Sequence, residues 1–337
     1  MPLLAAAHGP KGTMPTGAWG RRGDESFLEC QRGTFIDKNA MLTIRELSKT
    51  YANGVHALNR VTLDIPRGMF GLLGPNGAGK SSLMRTLATL QEADSGEALL
   101  EGASGERIDV LRDKDAVRRQ LGYLPQDFGV YPKVSAEDLL SHFAVLKGLA
   151  DRKQRREAVE GLLQQVNLWD ARKRKLGTYS GGMRQRFGIA QALLGDPRLV
   201  IVDEPTAGLD PEERNRFLNL LAEIGENVAV ILSTHIVEDV TDLCPTMAIM
   251  NRGQVLLTGK PTDAIAALEA QVWRKQVTKA TLADYEARHT VLSTRLVGGH
   301  PVIHVFSAER PEDGFEAVAP DLEDVYFQRL RLQARAA

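Results

Sequence analysis

The eight residues Gly74–Ser81, with the sequence GPNGAGKS, restrict the possible folds of this 337-residue chain more than any other segment. They stand between a short apolar run, Met69–Leu73, that is typical of a buried strand, and a segment, Ser81–Leu90, that has helical periodicity. Glycines let successive backbone N–H groups in such a loop turn toward one anion, and the following helix adds the positive end of its dipole. The spacing therefore predicts a P-loop that binds nucleotide phosphates.

A second segment supplies the acidic residues that such a loop needs. The apolar run Leu199–Val202 is followed by Asp203 and Glu204. We expect Asp203 to hold the Mg²⁺ shell and Glu204 to polarise a water against the γ-phosphate. Lys80 is expected to reach the β- and γ-phosphates as a point charge, and Ser81 to offer its hydroxyl to Mg²⁺. The candidate ligands of ATP in the loop are Gly74, Pro75, Asn76, Gly77, Ala78, Gly79, Lys80, Ser81 and Ser82.

Between residues 41 and 268, apolar strands alternate with helices. This alternation predicts an α/β domain with a mainly parallel, buried sheet. The predicted strands are Met41–Leu47, Val61–Ile65, Met69–Leu73, Leu199–Val202 and Val228–Ser233, and the predicted helices are Ser81–Leu90, Val110–Gln120, Ala136–Lys147, Arg152–Val166, Arg184–Leu194 and Pro211–Ile224.

The two ends of the chain differ from this central part. Residues 1–40 are rich in Gly, Ala, Pro and charge without periodicity, which predicts a disordered extension; Met41 is an alternative start of translation. Residues 269–337 carry β segments at Val272–Thr278 and Val291–Phe306 and a helix at Leu322–Leu332. They predict a small α+β accessory domain, for which regulation and dimer support are both open roles.

Charge, cysteine content and hydropathy exclude several classes of protein. The 42 basic and 43 acidic residues leave a net charge of -1, so no nucleic-acid partner is expected. The two cysteines, Cys30 and Cys244, have no CxxC spacing, which argues against a zinc site or a disulfide framework and favours the reducing cytoplasm. No apolar run approaches the roughly 18–20 residues of a membrane span, so a membrane function would need spans from another chain.

Further motifs occur in a fixed order around the P-loop and Asp203. They are Tyr51, Gln126 in LGYLPQDFGVYP, YSGGM at Tyr179–Met183, AGLDP at Ala207–Pro211, and His235 in STH. In this order and spacing the chain resembles the ATP-binding subunits of ATP-binding cassette (ABC) transporters over about Leu42–Leu268. Tyr179 and Met183 depart from the usual Leu and Gln of the signature motif, and Ser81 replaces the commoner Thr.

The resemblance implies a P-loop NTPase fold. Such a fold has a mixed, mainly parallel core sheet, an antiparallel β subdomain and a helical subdomain that carries the signature motif. Here the small C-terminal α+β appendage would follow it.

The resemblance also implies a head-to-tail dimer with two ATP molecules at its interface. Ser180, Gly181 and Gly182 would close on the γ-phosphate held by a second copy of the chain, and Asp210 would lie near that interface. Among the remaining motif residues, Tyr51 would stack on adenine, His235 would contact the γ-phosphate, and Gln126 would contact the Mg²⁺ site and link it to the transport partner.

The sequence around the P-loop and Gln126, together with LEDVYFQRL at Leu322–Leu330, is similar to that of ATPase subunits in the bacterial exporter-type branch. This branch includes drug, antibiotic and lipid exporters. This similarity implies a separately encoded permease and a cytoplasmic chain held at the inner face of the cell membrane. The alternative is a soluble ABC-type ATPase acting on ribosomes or DNA; such proteins carry two cassettes or a long coiled coil, and this chain has neither. The substrate, the permease and the choice between homodimer and heterodimer are left open.

Two surface features carry alternatives. Phe128 and Tyr131, within Asp127–Val134, are either part of a groove for a helix of the membrane subunit or fold back into the helical subdomain. The basic clusters Arg152–Arg156 and Arg172–Lys175 are interpreted as solvated helix faces, with lipid headgroups or nucleic acid as the alternative contact.

Overall fold

A computed structural model describes residues 40–336, so the predicted disordered extension, apart from Ala40, lies outside the described residues. The strands are β1 (Leu42–Thr50), β2 (His56–Ile65), β3 (Met69–Leu73), β4 (Ser95–Glu101), β5 (Arg107–Asp109), β6 (Leu121–Leu124), β7 (Leu199–Asp203), β8 (Ala229–Thr234), β9 (Thr246–Asn251), β10 (Gln254–Gly259), β11 (Val272–Gln276), β12 (Thr290–Val297), β13 (His300–Phe306) and β14 (Glu316–Ala317). The helices are α1 (Lys80–Leu87), α2 (Lys114–Gln120), α3 (Ala136–Leu146), α4 (Arg152–Gln165), α5 (Gly181–Ala192), α6 (Pro211–Gly225), α7 (Val237–Leu243), α8 (Pro261–Ala266), α9 (Leu282–Arg288) and α10 (Leu322–Ala336).

The central sheet has the strand order β10-β9-β3-β8-β7-β6. All its neighbouring pairs are parallel except β9 and β10 at one edge. Every residue of β3, β7 and β8 is buried, because helices and a second sheet cover both faces. Along β7, Val200 and Val202 point into one hydrophobic core, and Leu199 and Ile201 point into the other.

The parallel register gathers the carboxyl ends of three strands at one edge of this sheet. Leu73 of β3 pairs with Thr234 of β8, and Asp203 of β7 pairs with Ser233. The segments that follow these strands are therefore neighbours in space, which is where ligands bind in open α/β sheets.

Two further layers flank the central sheet. β2, β1, β4 and β5 form an antiparallel sheet in that order, and α3, α4 and α5 pack against one another. Together with the central sheet, these layers confirm the predicted P-loop NTPase fold with an antiparallel β subdomain and a helical subdomain.

One predicted helix was too long. The periodicity predicts a helix over Val110–Gln120, but α2 begins only at Lys114. The reason is Asp109, whose side-chain oxygen accepts hydrogen bonds from the backbone N–H groups of Leu111 and Arg112 and holds a turn there. The backbone N–H of Val110 donates to the carbonyl of Ala98 instead of joining a helical turn, and the Val110 side chain is buried in the core.

The C-terminal residues form a third sheet, with the antiparallel order β12-β13-β11-β14. A turn at Gly298 and Gly299 joins β12 to β13, and both glycines have positive φ, as a tight hairpin requires. Helix α10 then packs on β9, β10, α7 and α8. The division of the chain at residue 268 stays a prediction.

Within residues 40–336, no helix is long and apolar enough to cross a membrane.

Candidate nucleotide site

The loop between β3 and α1 depends on glycine at two positions. A β-carbon on Gly74 would collide with the carbonyl oxygen of Met250, and one on Gly79 would collide with that of Ala57. Gly79 also has φ of +104° at the start of α1. At Gly77, where φ is +81°, no atom lies within 4 Å of the added carbon, so the backbone there is open to a ligand. The loop can therefore present its backbone and the N-terminus of α1 to an anion.

Lys80 lies at the centre of this site and is buried, with only 5% of its surface exposed. Its Nζ donates to the Gly74 carbonyl at 2.6 Å and lies 3.2 Å from Oε1 of Glu204. A buried ammonium needs such partners because its desolvation is costly.

Glu204 joins the P-loop to the end of β8. Its second carboxylate oxygen, Oε2, lies 2.6 Å from Nδ1 of His235, and its backbone N–H donates to the carbonyl of Ser233. Its φ is +49°, in the left-handed region that non-glycine residues rarely adopt. Lys80, Glu204 and His235 thus form a chain of three charged or polar groups, with the carboxylate in the middle.

Asp203 lies one residue earlier and is 2% exposed. Its Oδ1 accepts a hydrogen bond from the Ser233 hydroxyl at 2.7 Å. Together with Ser81, it offers a carboxylate and a hydroxyl, and these are oxygen ligands of the kind that Mg²⁺ prefers. In the described part of the chain, no three His, Cys, Asp or Glu residues form a metal cluster. This small donor set fits an ion that is also held by phosphate oxygens and water.

Tyr51 reaches the same region from the end of β1. Its hydroxyl donates to Oε1 of Gln91 at 2.8 Å and lies 3.0 Å from the Ser82 hydroxyl. The structure therefore places this aromatic side chain beside α1. Its stacking on adenine stays a prediction.

The signature motif lies elsewhere. Ser180 caps α5, and its hydroxyl accepts a hydrogen bond from the backbone N–H of Met183 at 3.2 Å. A cleft of about 540 Å³ is lined by Gln126, Asp127, Phe128, Gly129, Gly181, Arg184, Gln185, Ala207, Gly208 and Leu209. No P-loop residue lines this cleft, which brings Gln126 beside Gly181 of the signature and the 207–209 segment.

Three residues near the site were not identified from the sequence. Ser233 anchors Asp203, Thr206 follows Glu204 by two residues, and Tyr123 lies on β6, the strand next to β7. Burial, aided by the Asp203 carboxylate, raises the pKa of the Tyr123 hydroxyl. In the sequence, Tyr123 stands three residues before Gln126, and this proximity is the signal that would have identified it.

Comparison with known proteins agrees with this geometry. Residues 58–207 match the family model described as ABC transporter. The chain is 37% identical over 221 residues to the uncharacterized ABC transporter ATP-binding protein YxlF of Bacillus subtilis, covering 65% of this chain and 71% of that protein.

The chain belongs to the ABC transporter family.

Two more similarities extend the comparison. The linearmycin resistance ATP-binding protein LnrL of Bacillus subtilis is 32% identical over 230 residues, covering 68% of this chain and 72% of that protein. Among solved structures, the dimeric post-hydrolysis state of the ATP-binding cassette MJ0796 bound to ADP and Pi is 25% identical, with a TM-score of 0.58, covering 65% of this chain and 98% of that one. By contrast, the chain spans only 26% of ABC transporter A family member 8 of Dictyostelium discoideum.

As an ABC ATP-binding subunit, the chain binds and hydrolyses ATP. Membership in this family favours the transporter subunit over the alternative of a soluble ATPase acting on ribosomes or DNA.

Proposed function

We propose that this chain is the ATPase subunit of an exporter, in which ATP-driven closure of a head-to-tail dimer moves a separately encoded membrane subunit. The observation that carries the proposal is the contact of Glu204 with both Lys80 and His235 at the end of the parallel strands. The similarity to LnrL, whose name assigns it to linearmycin resistance, supports the export direction.

In the proposed ATP site, the backbone of residues 74–79 and the amine of Lys80 bind the phosphates, and Tyr51 stacks on adenine. Ser81, Asp203 and Gln126 would hold Mg²⁺, which supplies charge neutralisation to the phosphate oxygens. Glu204 orients the attacking water and accepts its proton, while His235 orients the Glu204 carboxylate and contacts the γ-phosphate.

The second half of the site comes from a partner copy. Ser180, Gly181 and Gly182 lie at the N-terminus of the 12-residue helix α5, which can bind an anion through its free N–H groups. Because Gly181 lines a cleft that contains no P-loop residue, this helix start is available to the nucleotide of another subunit. Asp210, which caps α6, would lie at that interface.

The proposed membrane partner would dock beside the helical subdomain, with the chain on the cytoplasmic face of the membrane. A groove of about 580 Å³ there is lined by the exposed Leu90 and Leu146 and by Arg119, which suits an amphipathic segment with acidic residues. Of the two aromatics weighed for this role, Phe128 folds back against Gly188 of α5. Tyr131 is 63% exposed and remains available.

Substitution of Glu204 by Gln tests the proposed function. The amide keeps the shape of the side chain but cannot accept a proton, so we expect the ATPase rate to fall by at least about 100-fold. The P-loop contacts remain, so equilibrium binding of ATP should change little. The measurement is phosphate release together with binding of a fluorescent ATP analogue.

Glu223→Gln is the matched control, since Glu223 is an exposed acidic residue on α6. It should leave both quantities unchanged. Undiminished hydrolysis by Glu204→Gln would show that another group activates the water.

A further inference from the structure

Asp239 on α7 is a fully buried carboxylate, with 0% of its surface exposed. Its Oδ2 accepts a hydrogen bond from the Thr206 hydroxyl at 2.7 Å. Its Oδ1 accepts one from Nε of Arg214 at 2.8 Å, and Nη2 of Arg214 lies 2.6 Å from the same oxygen. A carboxylate buried this deeply is stable only with such partners, because removing its charge from water is costly.

The two partners belong to two other elements of the site. Thr206 follows the strained Glu204 by two residues, and its carbonyl accepts a bond from the N–H of Leu209 within the same turn. Arg214 lies in the first turns of α6, whose N-cap is Asp210. Asp239 therefore bonds to both ends of the segment 204–214.

Asp239 itself stands four residues after His235. The helix that it occupies, α7, starts at Val237, directly after the loop that carries His235. The 2.6 Å contact between Glu204 and His235 thus joins two segments that are also tied together by the bond between Thr206 and Asp239. Two connections between the same two segments fix their spacing and orientation, which a single connection cannot do.

We propose that Asp239 is a positioning residue for hydrolysis. Through its bonds to Thr206 and Arg214, it fixes the position of His235 relative to Glu204 and to the start of α6. This inference rests on the proposed roles of Glu204 and His235. It assigns Asp239 no contact with nucleotide, so its loss slows turnover and leaves nucleotide binding intact.

The test replaces Asp239 by Asn, which keeps the shape and one acceptor but removes the charge that holds Arg214. We expect kcat for ATP to fall about 10- to 100-fold, since misplacement of a catalytic group by about 1 Å has effects of this size. The KM for ATP and the affinity for a fluorescent nucleotide should stay within about twofold of the wild-type values, because the P-loop is untouched. Asp242→Asn, an exposed acid on the same helix, is the matched control and should behave as wild type.

A double-mutant cycle separates positioning from general destabilisation. His235→Ala should lower kcat strongly in the wild-type background. It should lower kcat only slightly in the Asp239→Asn background, because Asp239 acts by positioning His235. Additive effects, or a wild-type kcat for Asp239→Asn, would overturn the proposal. All rates are taken well below the melting temperature of each variant.

Two more variants keep the test decisive. If Asp239→Asn does not fold, Thr206→Val is the substitute, because it removes only one hydrogen bond. It should lower kcat at constant KM, though less than Asp239→Asn would. A wild-type kcat in this variant would also contradict the proposal. Asp239→Asn combined with Arg214→Gln removes the unpaired charge, and it should regain stability without regaining kcat. Failure of the proposed function itself would appear separately, as full activity in Glu204→Gln.

Discussion

Glu204 has a left-handed backbone conformation, which residues other than glycine rarely adopt. Its φ of +49° costs on the order of 1–3 kcal/mol and is held by the bond from its N–H to Ser233 and by its side-chain contacts. This conformation turns the chain sharply after β7, so that the Glu204 carboxylate points back toward Lys80 while Asp203 stays in register with Ser233. Two adjacent acids thereby gain different surroundings and different proposed roles.

Cys244, near Asp239, provides a prediction at this scale. Burial, aided by the Asp239 carboxylate, raises the pKa of its thiol to about 12. Since only the thiolate reacts, the native protein near pH 8 should not be labelled at this position by a disulfide reagent such as Ellman's reagent. In denaturant the thiol regains an ordinary pKa and should release one equivalent of chromophore.

The measurement uses the Cys30→Ser variant, because Cys30 lies outside the described residues. Cys30→Ser combined with Cys244→Ser should release nothing under either condition. Rapid labelling without denaturant would contradict the burial of Cys244.

Among the elements, the C-terminal sheet is tied to α9 by one acidic side chain. Glu312 accepts hydrogen bonds from Nζ of Lys275 on β11 and from the hydroxyl of Tyr285 on α9, both at 2.7 Å. Arg288 lies 3.4 Å from its other oxygen. These donors lower the pKa of the Glu312 carboxyl to about 2, with Lys275 as the largest cause.

This shift predicts a pH dependence of the stability of the C-terminal sheet. The carboxyl has a lower pKa in the folded state than its ordinary value of 4.5, so its stabilising effect is complete above about pH 4.5 and is lost as the pH falls toward 2. Glu312→Gln should therefore lower the urea midpoint at neutral pH, and this difference should shrink to a small fraction as the pH falls from 4.5 to 2. The effect is modest because solvent reaches about a third of this side chain.

Fluorescence of Trp273 on β11 reports this unfolding once Trp19 and Trp169 are replaced by Phe. Glu316→Gln is the control, since its partner Arg274 forms an exposed ion pair that contributes little. A difference between wild type and Glu312→Gln that persisted at pH 2 would assign the stabilisation to something other than the charge.

For the whole molecule, the separation of the P-loop from the signature cleft predicts that subunits complement each other. Lys80→Ala disables the P-loop, and Ser180→Arg blocks the signature. Each variant alone should hydrolyse ATP poorly. In an equal mixture, each mixed dimer has one site built from an intact P-loop and an intact signature, so about a quarter of the wild-type rate should return.

The mixture is measured by phosphate release, and differently tagged copies verify that mixed dimers form. Lys80→Ala mixed with a chain carrying both substitutions is the control and should stay inactive. If mixed dimers form but hydrolyse no more ATP than the single variants, the two sites are not independent sites that each combine one chain's P-loop with the other chain's signature.

Much of the site was predictable because its residues lie in short, contiguous motifs. Gly74–Ser81 and Asp203–Glu204 depend on local backbone chemistry next to apolar strands. The alternation of apolar strands and helices predicted the α/β domain, and the resemblance to ABC subunits supplied the subdomains. The helix at Val110 was predicted wrongly, because an aspartate that bonds to nearby backbone N–H groups does not change hydrophobic periodicity. The roles of the individual site residues, and the boundary at residue 268, stay predictions.

The sequence by itself determined that this chain has a P-loop, two acids after a buried strand, and a signature helix, because each is encoded within a few residues. Only the tertiary structure decided that Asp239 joins Thr206 to Arg214, that Ser233 holds Asp203, and that Phe128 is packed while Tyr131 is exposed. Most of these contacts join residues about 25 to 33 positions apart. Such pairings follow from strand order and helix packing, which hydrophobic patterns and motifs do not specify.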